Sequence, residues 1–251
     1  MSTYYGNTGV TTHIHGSKNL YLQPPAARFG TAVLPTRLRQ LIPQEEFDYQ
    51  TLLSYLQGYG YPRDKITDLL RKGVIIRVKK GLYVFGELYR RRPVSREVLA
   101  NLMYGPSYIS MEYALQHYGL IPEAVETITS VTCGRSRSFV TPLGSFTYRK
   151  IPLQAFCTGM DLLRPEEGQP FLMAIPEKAL ADKLVSDRGA GIRNEKELSI
   201  YLNESLRIPH GELSHLRSSR IAEIARSYRS RRVMLLSRVV ECEYTNADGD
   251  T

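Results

Sequence analysis

Residues 61–86, YPRDKITDLLRKGVIIRVKKGLYVFG, form the stretch around which the rest of the chain is organised. Pro62 suits a first helical position, where its missing N–H breaks no bond, and Asp64 falls in the first turn, near the positive end of the helix dipole. Ile66, Leu69 and Leu70 recur at i, i+3 and i+4 and make one apolar stripe. Gly73 can take the positive φ needed just past a helix end. Val74, Ile75, Ile76 and Val78 then make a β-branched run, Lys79-Lys80-Gly81 a tight turn, and Leu82-Tyr83-Val84-Phe85 a returning strand. A helix running into a hairpin with a cationic tip is the outline of a winged helix-turn-helix, and so of a DNA-binding element.

The charge distribution points the same way. The 251 residues carry a formal net charge of +8. Residues 1–60 hold four Lys/Arg against three Asp/Glu, and residues 93–251 hold nineteen of each. Residues 61–92 hold ten cations (Arg63, Lys65, Arg71, Lys72, Arg77, Lys79, Lys80, Arg90, Arg91, Arg92) against Asp64, Asp68 and Glu87. Seven of the eight excess charges therefore lie in one stretch, the electrostatic footprint of a polyanion site. An average basic run is a solvated face, but the hairpin context favours the site here.

Other chemistries find little support. Cys133, Cys157 and Cys242 are widely spaced without a C-x-x-C, which speaks against a disulfide framework or a zinc site and fits a reducing cytosol. The five histidines show no ligand spacing, so no metal and no cofactor is expected. No apolar run approaches the ~20 residues of a membrane span, and the first residues lack the basic and apolar regions of a secretory signal. A soluble cytoplasmic protein without a membrane partner is the expectation.

Working outward, residues 1–34 are poor in charge and aperiodic and read as a disordered arm. Residues 35–92 read as the DNA-binding domain: a first helix over 36–42, a second over 47–57 with Asp48 as a plausible N-cap, and the third from Pro62. With Ile66 inward, 100° per residue points Asp64, Thr67, Asp68 and Arg71 outward and puts Lys65 and Lys72 on a flank. The expected DNA-binding residues are Arg63, Lys65, Thr67, Arg71, Lys72, Arg77, Lys79 and Lys80. Arg71 has the reach for guanine O6/N7, and Thr67 for a base edge or phosphate, whereas Arg77, Lys79 and Lys80 read as phosphate contacts that position without specifying. Asp64 and Asp68 sit awkwardly near phosphates; they either orient Arg71 and Lys72 or accept from cytosine N4.

Residues 93–251 read as a mixed C-terminal domain, giving an α+β chain overall. Arg90-Arg91-Arg92-Pro93 is a linker that could touch the DNA backbone. Helices are expected over 95–103 and 111–118, the latter capped by Ser110 and closed by Gly119. Strands are expected over 125–132, 138–140, 144–151 and 171–175, a helix over 176–185, and largely helical chain over 195–240. Tyr104, Tyr108, Tyr113 and Tyr118 could stack on bases but fit a core with hydroxyls at its rim better. The arginines Arg220, Arg226, Arg229, Arg231 and Arg232 could form a second polyanion contact, with a solvated face the plainer alternative.

Four blocks in order carry a family resemblance: KITDLLRKGVIIRVKKGLYVF, LANLMYGPSYISMEYALQHYGLIPE, VETITSVTCGRSRSF with GSFTYRKIP, and FLMAIPEKALADKL. Over most of residues 36–240 the chain resembles the AbiEi family, the antitoxins of AbiE-type, type IV toxin–antitoxin systems. The resemblance implies a winged-helix domain that represses its own operon and a C-terminal domain that counters a nucleotidyltransferase-like toxin, without an obligatory stable complex. The implied partners are double-stranded operator DNA, read as inverted repeats with cooperative self-association, and that toxin. Alternatives are a protein–protein interaction module, or a stand-alone transcriptional regulator with no toxin partner. An enzyme is not expected: Asp161 with Glu177-Lys178 is the nearest approach to a nuclease site, and its acid–lysine pair starts a helix instead of lying on a strand.

Overall fold

Pro62 and Gly73 bracket a helix as their backbone preferences dictate. The computed structural model of the chain describes residues 35–209 and 211–247, with the arm expected over 1–34 lying outside them. The first helix is α1 (Pro35–Leu41), followed by a strand, β1 (Glu46–Asp48), and by α2 (Tyr49–Tyr55). Asp48 caps α2 by accepting from the Thr51 N–H at 2.8 Å. Phe47 therefore belongs to a strand and not to the second helix, whose expected start at 47 is corrected. The reason is tertiary: Phe47 pairs with Tyr83 across an antiparallel ladder and packs its ring on Phe85 at 4.9 Å between centroids.

α3 (Pro62–Arg71) has proline in its first turn and buries Ile66 and Leu69. Gly73, at φ +65°, ends it. β2 (Ile75–Lys79) and β3 (Leu82–Phe85) follow as a hairpin turned at Gly81, φ +87°. The small sheet has the order β1-β3-β2. β3 is buried along its whole length, and its period of two sends alternate side chains to different places. Tyr83 and Phe85 join Leu38, Ile42, Phe47, Leu52, Leu56, Ile66 and Leu69 in a core of their own. Leu82 and Val84, with Val78, join the main core of the second half. The hairpin is thus a shared wall, and apolar packing crosses the boundary at 92/93.

The connection is tied down as well. After a 3₁₀ turn (Glu87–Tyr89), Arg90 Nε donates to the Phe85 carbonyl at 3.1 Å, and Arg91 donates to the Arg39 carbonyl at 3.3 Å. Two adjacent carboxylates complete the join. Glu45 pairs with buried Arg39 and accepts from the Arg91 N–H, while Glu46 accepts from the Ser95 N–H at 2.7 Å and from Gln169 at 3.2 Å.

The second half begins with α4 (Arg96–Met103), capped by Ser95, then β4 (Ser107–Ile109) and α5 (Met111–His117), closed by Gly119 at φ +73°. β5 (Ile128–Thr132), β6 (Arg137–Thr141) and β7 (Gly144–Lys150) precede a turn of helix, α6 (Leu153–Phe156), and the hairpin β8 (Met160–Leu163) with β9 (Phe171–Ala174). These strands make a six-stranded sheet of order β6-β7-β5-β4-β9-β8, mixed because β4–β9 and β5–β7 run parallel. Four helices follow: α7 (Pro176–Ser186), α8 (Glu195–Ile200), α9 (Ser218–Tyr228) and α10 (Arg231–Ala247), with a π-helical turn (Tyr201–Ser205) after α8. The chain is α+β, and among the described residues no helix is long and apolar enough to cross a membrane.

Ser110 departs from its expected role. It stands at the start of α5 but makes no capping bond; fully buried, its hydroxyl donates to Asp182 at 2.6 Å. Asp182 also accepts from Tyr228 and pairs with Lys178, both side chains of that ion pair being wholly buried. Burial pushes the Tyr228 hydroxyl pKa upward, so it stays a donor. Lys178, weighed above as part of a nuclease site, is thus enclosed in a polar cluster. Tyr108 is likewise core, with no exposure at all.

Candidate nucleic-acid interface

Asp68 organises the exposed face of α3. Lys65 lies 3.4 Å from one of its oxygens, Lys72 2.9 Å from the same oxygen, and Arg71 3.0 Å from the other. Spacings of i±3 and i+4 place all four on one helix face, so the convergence follows from the helix alone. Hydrogen bonds from Lys72 and Arg71 hold the Asp68 carboxyl down at about 2, well below the usual carboxylate range. Of the two roles open to Asp68 in sequence, the geometry is that of an orienting anchor. It leaves the cations presented unequally: Arg71 keeps 78% of its side-chain exposure and Lys72 56%, against 20% for Lys65.

The other expected contacts fall into three groups. Arg63, Arg77 and Lys80 are exposed. Thr67 is exposed too, but its hydroxyl already donates to the Arg63 carbonyl at 3.1 Å, leaving its lone pairs outward. Lys79 is the exception. Its ammonium donates to the Met103 carbonyl and lies 5.7 Å above the Phe139 ring, on the side of the six-stranded sheet. Burial and the Arg137 charge lower its pKa. Lys79, expected as a phosphate contact at the hairpin tip, here ties that tip to the second half.

A bulge explains the turn of Lys79. Arg77 stands opposite Tyr83, but Lys79 stands opposite Leu82, so one extra residue enters β2 between them. Cross-strand partners share a face. Leu82 faces the main core, and Lys79 is brought to that side with it.

The same geometry adds a residue that the sequence reading did not single out. Arg137 on β6 is exposed, close enough to influence Lys79, and stacks its guanidinium 5.5 Å above the Tyr104 ring. Its signal in the sequence is the run Arg135-Ser136-Arg137 ahead of a strand, which gains meaning only from the packing of β6 beside the hairpin. Arg137 thus adds a cation on the edge strand of the larger sheet, beside Lys79.

Among the described residues no group of three or more His, Cys, Asp or Glu side chains is arranged to hold a metal ion. No protein-family model matches the chain, and no curated protein does.

Proposed function

We propose that the chain is a winged-helix DNA-binding repressor of its own operon and the antitoxin of a type IV toxin–antitoxin pair, acting in the cytoplasm. The observation that carries the DNA-binding part is the element order α1-β1-α2-α3-β2-β3 with sheet order β1-β3-β2 and a cationic exposed face on the third helix. In that arrangement α3 is the recognition helix and the β2–β3 hairpin the wing. Arg71, whose side chain keeps 78% of its exposure, is the base reader, with guanine O6/N7 as its natural partner. Lys72, Arg63, Arg77 and Lys80 hold phosphates and set register. Repression is steric, by occupation of operator DNA, and inverted repeats would seat two copies. The antitoxin part rests on the AbiEi resemblance alone, with the six-stranded sheet and its helices as the half that counters the nucleotidyltransferase-like toxin.

A second reading has one observation in its favour. The wing's inner face is buried against the second half and Lys79 is spent there, as a scaffold for protein contacts would have it. A fluorescence anisotropy titration against the upstream DNA and a scrambled duplex, at two salt concentrations, separates the two. Preference for the upstream DNA with steep salt dependence supports the repressor; equal weak binding to both supports the scaffold.

A further inference from the structure

Four arginines line a groove that operator binding does not use. Arg231, Arg232 and Arg238 come from α10 and Arg193 from the loop ahead of α8, around a cavity of about 600 Å³ floored by Ile192, Met234 and Leu235. The α10 residues Arg231, Met234, Leu235 and Arg238 stand at i, i+3, i+4 and i+7, so one helix face supplies both charge and floor. No acidic side chain lines the groove. α10 has no acid in its first turn; its start is capped by the Ser230 hydroxyl, which accepts from the Val233 N–H at 3.4 Å. Arg232 is held in place, donating to the carbonyls of Asp187 at 3.2 Å and Arg188 at 3.4 Å. Arg238 reaches Glu195 only at 3.8 Å, an exposed and weak pairing.

We propose that this groove binds a phosphorylated small molecule of nucleotide size. Guanidinium forks on Arg193, Arg231 and Arg238 match phosphate oxygens two at a time, and the Met234–Leu235–Ile192 floor takes a planar apolar body. The volume lies within the range of about 300–1,000 Å³ usual for small-molecule sites. A polymer is the poorer fit, because Glu195 beside Arg238 and Glu197, which accepts from the Arg193 N–H at 2.6 Å, flank the groove with negative charge. The site is independent of the DNA-binding reading.

Isothermal titration calorimetry of the full chain with ATP, GTP and inorganic pyrophosphate at low salt tests it. One saturable site in the micromolar range is expected for a triphosphate, with pyrophosphate at least about tenfold weaker for want of the apolar body. Arg231→Glu and Arg238→Glu should each weaken the nucleotide by about tenfold or more at unchanged melting temperature, while Lys80→Glu at the hairpin tip leaves it unaltered. Both arginines are exposed, so the variants should fold; Arg231→Gln serves if one does not. Absence of heat up to millimolar nucleotide, or binding indifferent to both arginine variants, overturns the proposal. So does a short single-stranded RNA that competes at the groove and binds more tightly than either nucleotide.

Discussion

The ammonium of Lys79 donates to the main-chain carbonyl of Met103, 24 residues further on, and so fastens the tip of the small hairpin to the end of α4. Adjacent in sequence, Lys79 and Lys80 therefore have separate roles: one staples the two halves and the other faces solvent. Lys80→Ala should weaken binding to every duplex alike and reduce the slope of log K against log salt by about 0.9, the value for one phosphate contact. Lys79→Ala should leave that slope nearly unchanged and instead lower stability by on the order of 1 kcal/mol, as loss of a charge-assisted hydrogen bond does. Salt-dependent anisotropy and urea titrations of the two variants measure both quantities. Equal salt slopes for the two would show that the staple opens on DNA.

Asp68 gives the second prediction. Its carboxylate remains ionised down to about pH 2, so DNA affinity should carry no Asp68-linked pH dependence between pH 5 and 8. Asp68→Asn removes a negative charge from the proposed DNA face and releases Lys65, Arg71 and Lys72 from their anchor. Affinity for scrambled duplex should rise several-fold while preference for the operator falls, because a freed Arg71 loses its fixed approach to a base. A competition assay with both duplexes reads the ratio directly; a variant that gained preference would reverse the assignment of Asp68 as an orienting group.

Val84 lies in the returning strand of the hairpin, has no exposure, and packs into the main core with Leu82 and Val78. Truncating Val84 to Ala should lower stability by roughly 1–3 kcal/mol through lost burial and the cavity left behind. Since the hairpin walls both cores, calorimetry should show a single transition moved to lower temperature. Two resolved transitions would mean that the halves unfold separately in spite of the shared wall.

Glu46, at the junction, has its pKa raised, first by desolvation and then with a contribution from Glu45. A carboxyl whose folded pKa lies above its unfolded value binds its proton more tightly in the native state. Its ionisation therefore opposes folding at pH values above that folded pKa, and the opposition fades as pH falls toward the unfolded value near 4.3. Glu46→Gln should accordingly raise the melting temperature at pH 8 more than at pH 5. A larger gain at the acid end would contradict the direction of the shift.

The Lys178–Asp182 pair, with Tyr228 and Ser110 as further donors, is wholly enclosed. Lys178→Met leaves a buried carboxylate short of its counter-charge and should cost about 3–5 kcal/mol. The double variant Lys178→Met with Asp182→Leu should recover much of that loss. Chemical denaturation of both variants distinguishes a structural ion pair from one retained for another role.

What the sequence determined by itself was local. Pro62 opens α3 because a residue with fixed φ and no N–H fits a first turn, and Gly73 closes it because the chain there needs φ +65°. Asp48 caps α2 through a bond spanning three residues, and the Asp68 cluster follows from the pitch of one helix. Each of these depends on neighbours within a turn, so spacing sufficed. Tertiary structure decided what depends on partners distant in sequence. Phe47 became strand because Tyr83 was there to pair with it, and Ser110 turned from cap to buried donor because a carboxylate oxygen of Asp182, 72 residues away, was there to accept. β3 reads as one apolar run in either case; that its alternate residues serve two cores appears only once the second half is packed behind it. The bulge at Lys79 is invisible to composition, since one inserted residue changes which face a side chain takes without changing the sequence pattern that announces a hairpin.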